Sequence, residues 1–183
     1  MKKAVFLFSL VAGLFVANAQ TASATLNVNL QPVQSITINA IPTVAINYAT
    51  STDYSGTGVE VTATDHLKVV SSGGFVVSVS AQDANLSGSN SAGAITETIA
   101  ASGIKVVASN GTGNTGGTFT PQAALTVGTA STGAVLLSSD TGGATKLYTV
   151  KYQGAGGNAY LAKRIGTGTT TYTTQVQYSI VAN

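Results

Sequence analysis

A few residue patterns in this 183-residue chain have spacings that could support chemistry. Gly111-Thr-Gly-Asn-Thr-Gly116 fits G-x-G-x-x-G and follows the apolar run Ile104 to Ala108, where backbone N–H groups could meet a pyrophosphate. The fingerprint needs a helix next, and Gly117-Thr-Phe-Thr-Pro121 cannot begin one, so the pattern reads as a flexible turn and no cofactor is expected. Asp83-Ala-Asn-Leu-Ser-Gly88 places oxygen ligands and a glycine as in the first half of a calcium loop, but Ala94 stands where a bidentate glutamate is required. An Asx-rich turn is the expectation there, with weak calcium binding in another geometry left open. His66 is the only histidine, and no G-x-S-x-G elbow accompanies it. Its neighbour Asp65 would point to the opposite face of a strand, so His66 is expected on a surface turn. Tyr48, Tyr54, Tyr148, Tyr152 and Tyr160 could stack on a sugar, with Tyr148, Tyr152 and Tyr160 able to form a small patch. Without tryptophan, packing in the core or on a strand face is preferred. No acid, base, nucleophile or metal constellation emerges, and no enzyme is expected.

The elements that would hold these residues are strands. Val, Ile, Thr and Tyr alternate with small polar residues, and glycine-rich clusters break the runs. The pattern predicts strands near residues 33–40, 42–48, 57–63, 66–71, 74–81, 94–99, 103–109, 123–127, 133–138, 145–153 and 171–182. Loops are predicted at Ser87 to Gly93, Ser109 to Gly117, Gly154 to Asn158 and Gly166 to Thr170. No amphipathic helix of ordinary length fits between them. The fold class this predicts is all-β, a sandwich or barrel in one domain.

Residues 1–19 carry Lys2 and Lys3, then an apolar run from Ala4 to Val16, then Ala17-Asn18-Ala19, the plan of a cleaved secretory signal. The mature chain would begin at Gln20 and have no stable membrane insertion, since no stretch approaches the roughly 20 apolar residues of a spanning helix. Loss of Lys2 and Lys3 leaves six basic against six acidic residues. Only Lys163 and Arg164 are adjacent, so no basic face is available and no nucleic-acid partner is expected. The absence of cysteine excludes disulfides and thiolate metal sites.

The two ends of the mature chain are the most informative. Ala22, Ala24, Leu26, Val28 and Leu30 occupy even positions with Ser, Thr and Asn between them, and Gln31-Pro32-Val33-Gln34 interrupts before Ile36 and Ile38. Val176, Tyr178 and Ile180 alternate in the same way at the far end. Each reads as a strand with one face meant for burial. Full burial of Leu26, Val28 and Leu30 would contribute about 5 to 9 kcal/mol before entropy, comparable with the net stability of a domain, so the segment requires a docking place.

With these features, the break at Pro32, the central run Leu67-Lys-Val-Val-Ser-Ser-Gly-Gly-Phe-Val-Val-Ser-Val-Ser80 and the closing strand Tyr172 to Ile180, the chain resembles the subunits of archaic chaperone-usher pili and spore coat protein U-like domains. The resemblance implies an immunoglobulin-like antiparallel β-sandwich lacking its last strand, completed by a neighbour's N-terminal extension. Residues 20–31 would be that donor, through Ala22, Ala24, Leu26, Val28 and Leu30. Residues 32–183 would form the sandwich, with Val176, Tyr178 and Ile180 on the groove edge. The expected partners are identical or neighbouring fibre subunits, with a periplasmic chaperone and an outer-membrane assembly protein. The expected location is the surface of a Gram-negative cell. The alternative reading is a self-contained secreted or surface binding module whose N-terminal strand folds into its own sheet.

Overall fold

A computed structural model of the chain describes residues 20–128 and 132–183. Residues 1–19, where the sequence predicts a signal peptide, lie outside the described residues. The chain divides into a first unit that ends at Leu30 and a second from Gln31 to Asn183. In the first unit the described residues 20–30 form no strand and are exposed. Leu26 is 86% exposed, Val28 73% and Leu30 87%, so the predicted N-terminal strand is unformed in the single chain.

The second unit is all-β and sandwich-like. Its strands in chain order are β1 (Gln34–Ile38), β2 (Glu60–Ser71), β3 (Phe75–Ala81), β4 (Asn85–Ser89), β5 (Ile99–Ala100), β6 (Lys105–Asn110), β7 (Thr118–Phe119), β8 (Ala123–Ala124), β9 (Ala134–Ser139), β10 (Gly143–Gln153), β11 (Thr171–Thr173) and β12 (Val176–Ala182). One sheet has the order β1-β2-β10-β6-β8, a second β12-β3-β9-β7, and a small third β11-β4-β5; all their pairings are antiparallel. The core lies between the inner faces of the first two sheets. Phe75, Val77 and Val79 alternate inward from β3, and Tyr148 and Val150 do so from β10, all fully buried. Phe75 and Phe119 both meet the Tyr148 ring edge-on, with centroids 6.3 and 6.2 Å away.

Several predicted elements come out differently. The runs at 57–63 and 66–71 form one twelve-residue strand, β2, because a bulge rather than a turn separates them. Between the pairs Tyr148↔Leu67 and Val150↔Ala63, β2 advances four residues while β10 advances two. Asp65 takes a positive φ of 51° in this insertion, a conformation that aspartate tolerates better than most residues. Since the insertion adds an even number of residues, Ala63, Leu67 and Val69 all keep their inward face, and His66 turns inward beside them. His66 is 3% exposed, so the expected surface-turn histidine is a buried strand residue.

The Asx-rich turn and part of the Ser87 to Gly93 loop are replaced by β4, with Gly88 inside the strand against Ile95 and Tyr172. Glycine is needed there because a Cβ would sit 2.8 Å from Ile95. The strand predicted at 94–99 contracts to Ile99–Ala100, and that at 123–127 to Ala123–Ala124 with an isolated bridge from Val127 to Ala81. Residues Ser51–Ser55 form a single short helix, closed by a capping box between Thr50 and Asp53. Asp53 receives the N–H groups of Ala49 and Thr50 at 2.9 and 2.7 Å, and these bonds hold its carboxyl below the usual range. The strand predicted at 42–48 does not form: Pro42 and Thr43 make a bend, and 44–48 belong to no sheet.

Candidate functional site: an open groove beside an unpaired strand

The segment from Pro42 to Tyr48 has the side-chain pattern of a strand without the partner. Val44, Ile46 and Tyr48 are half-buried, whereas Thr43, Ala45 and Asn47 are exposed. Val44 and Ile46 pack against the core. Among the described residues, however, no backbone N–H or C=O of Thr43 to Asn47 makes a hydrogen bond. The departure from the sheet is local. Asn39 still donates its N–H to the His66 carbonyl at 2.8 Å, and Ile41 then adopts a positive φ of 55°, which an isoleucine takes only where its surroundings impose it.

This segment forms one wall of a groove of about 1120 Å³. A second wall comes from residues 167–176 and Tyr178. Leu86, Ile99, Ile104 and Leu125 supply an apolar floor. On that second wall β12 pairs only with β3, so it is the edge of its sheet. Val176 and Tyr178 line the groove, while Ile180 is half-buried on the core and is not among the groove-lining residues. Thr174, also in the wall, has a water-shielded hydroxyl with no hydrogen-bond partner among the described residues.

Each end of the groove is built from aromatic rings. At one end Tyr48 packs on Tyr54 and Tyr160, with ring centroids 5.2 Å away in both cases. The Tyr48 hydroxyl donates to the Ala155 carbonyl at 2.7 Å, and the Tyr160 hydroxyl accepts the Ala155 N–H at 3.3 Å. Burial pushes Tyr48 up to about 12. The sugar-stacking patch of Tyr148, Tyr152 and Tyr160 is not assembled. Tyr148 and Tyr152 belong to the core, while Tyr160 joins Tyr48 and Tyr54; the Tyr48 and Tyr160 hydroxyls bond Ala155, and the Tyr54 hydroxyl donates to the Tyr48 carbonyl.

At the other end a hydrogen-bonded chain crosses the groove floor. The Tyr152 hydroxyl lies 2.9 Å from His66 Nε2 and also bonds the Tyr178 hydroxyl. His66 Nδ1 lies 2.8 Å from the Ala40 carbonyl oxygen. A carbonyl can only accept, so Nδ1 carries the proton, Nε2 accepts from Tyr152, and Tyr152 accepts from Tyr178. Burial lowers the affinity of His66 for a second proton and raises the tyrosines, Tyr152 to about 12. The sequence signal for this chain is faint, because the bulge at Asp65 sets which way His66 points.

Asp65 does not pair with His66; its carboxylate accepts the Thr112 N–H at 2.7 Å and is held below the usual range by hydrogen bonding from the Thr112 side chain and backbone. Gly111 begins this loop because a Cβ there would collide with the Asp65 carboxylate and the Leu147 carbonyl. The G-x-G-x-x-G run therefore caps the β2 bulge. Among the described residues no three metal-capable side chains cluster, and no helix is long and apolar enough to cross a membrane.

No protein-family model matches the chain, and no curated protein matches it.

Proposed function

We propose that the chain is an exported subunit of an extracellular fibre, joined to its neighbours by strand donation. The observation that carries this reading is the wall from Thr43 to Asn47, a strand by side-chain pattern with unpaired backbone, lining one groove together with the sheet edge at β12 and an apolar floor. A strand laid between the two edges would satisfy those backbone groups and fill the floor with alternate side chains. The chain itself carries such a strand in Ala22, Ala24, Leu26, Val28 and Leu30, whose large members are exposed.

In this reading the strand comes from a neighbour's residues 20–31, which form no strand in the single chain. A head-to-tail contact of this kind does not close on itself and builds a filament. The immunoglobulin-like incomplete sandwich, the signal peptide at residues 1–19, passage through a periplasm with a chaperone and an outer-membrane assembly protein, and a surface location belong to this same reading.

The test is to express residues 32–183 and add a synthetic peptide of residues 20–31. Saturable binding, with filaments formed by the 20–183 chain and none by 32–183, is the expected result. A stable 20–183 monomer with no capture of the peptide by 32–183 overturns the reading in favour of a self-contained binding module.

A further inference from the structure

The wall from Thr43 to Asn47 follows β1 in sequence, and the strand that β1 pairs with has an open edge of its own. β2 has β1 and β10 as neighbours, and the β1 pairing ends at Ile38↔Leu67. From Glu60 to Ala63, β2 is paired with β10 alone. Alternation fixes which backbone groups this leaves over. The Val59 carbonyl accepts the Gly154 N–H on the β10 side, so the N–H and C=O of Glu60 and Thr62 point to the other side, where no described strand lies. The same alternation runs through β1. Val33 accepts the Ser72 N–H and Asn39 donates to the His66 carbonyl, so odd-numbered residues turn their backbone groups to β2.

We propose that the wall closes on this edge when a strand fills the groove, with Thr43 and Ala45 bonding β2 as a continuation of β1 while Val44 and Ile46 bond the incoming strand. The inference rests on the fibre reading, and its physical reason is the backbone count. Successive residues of a strand turn to opposite neighbours, so one incoming strand satisfies only alternate groups of the wall. The rest need a second partner. The chain's own open edge is the one at hand, because the β1 ladder and the contacts of Asn39 and Ala40 with His66 deliver the segment to it. The side chains already agree with this pairing. Thr43, Ala45, Glu60 and Thr62 are exposed, whereas Val44 is half-buried and Ala63 buried, so none changes face. Pro42 is even-numbered, and its missing N–H costs no bond to β2. What carries the free chain off this path is Ile41, at a φ of 55°. Extending the segment returns Ile41 to ordinary strand conformation, so its strain is released as the two edges close.

Hydrogen exchange resolved to single amides by fragmentation mass spectrometry tests this, on the 20–183 chain under the conditions of the filament experiment. Thr43 and Ala45 are expected to exchange at least about tenfold more slowly than their intrinsic rates, together with Val44 and Ile46. Protection of Val44 and Ile46 with Thr43 and Ala45 at intrinsic rates overturns the pairing with β2 and leaves strand donation standing. The reverse pattern overturns the dependence on a groove strand, and with it the proposal. Intrinsic rates at all four amides overturn both readings. Odd and even amides of one segment therefore report separately on β2 and on the groove.

Discussion

The imidazole Nδ1 of His66 lies 2.8 Å from the carbonyl oxygen of Ala40, joining the buried bulge of β2 to the point where the chain leaves the sheet. The residues on either side of this contact behave differently. Before it, Gln34 to Ile38 pair in register with Ser71 to Leu67; after it, Thr43 to Asn47 pair with no described residue.

Val28→Asp tests the donor. At 73% exposure Val28 contributes little to the isolated chain, so urea unfolding of the monomer should move by less than about 0.5 kcal/mol. In the fibre reading the same change buries a carboxylate, and filaments counted by electron microscopy should disappear.

Tyr152→Phe removes the middle of the floor chain. It leaves His66 Nε2 without its donor and Tyr178 without its acceptor while keeping the ring that packs edge-on to His66, centroids 5.8 Å apart. Chemical denaturation should show a loss of about 1 to 3 kcal/mol. A change within error would mean that water replaces the hydroxyl.

Global stability should depend on pH through His66. Burial lowers its folded-state pKa below the ordinary 6.5, so the unfolded chain takes up the proton first. The contribution is complete above pH 6.5 and is lost as pH falls from there through the folded-state value. Urea midpoints of the native chain and of His66→Phe should diverge in this direction, with the variant the flatter of the two.

Lys146→Met addresses a buried cation with no carboxylate. Lys146 is 8% exposed, and its Nζ donates to Ser139 Oγ at 2.9 Å and Thr141 Oγ1 at 3.1 Å, 5.8 Å from the Phe75 ring centroid. Methionine keeps the apolar stem and removes the desolvated charge. Thermal unfolding should show neutral to slightly raised stability, whereas Lys146→Glu should cost about 3 kcal/mol or more by placing a carboxylate at the same buried site.

Composition and period-two alternation alone determined the all-β class and most inward faces, because a half-buried strand must repeat its burial every second residue. Phe75, Val77 and Val79 are legible in that way, as is the pattern of Val44, Ile46 and Tyr48. The alternation of Leu26, Val28 and Leu30 is legible in the same way. Tertiary structure decided what alternation cannot encode, namely which edges find a neighbour. The segment 42–48 reads as an ordinary strand, yet its backbone from Thr43 to Asn47 pairs with no described residue. His66 faces inward for a similar reason. Its direction depends on two residues inserted at Asp65 opposite β10, and a bulge is a property of two paired strands rather than of either sequence by itself.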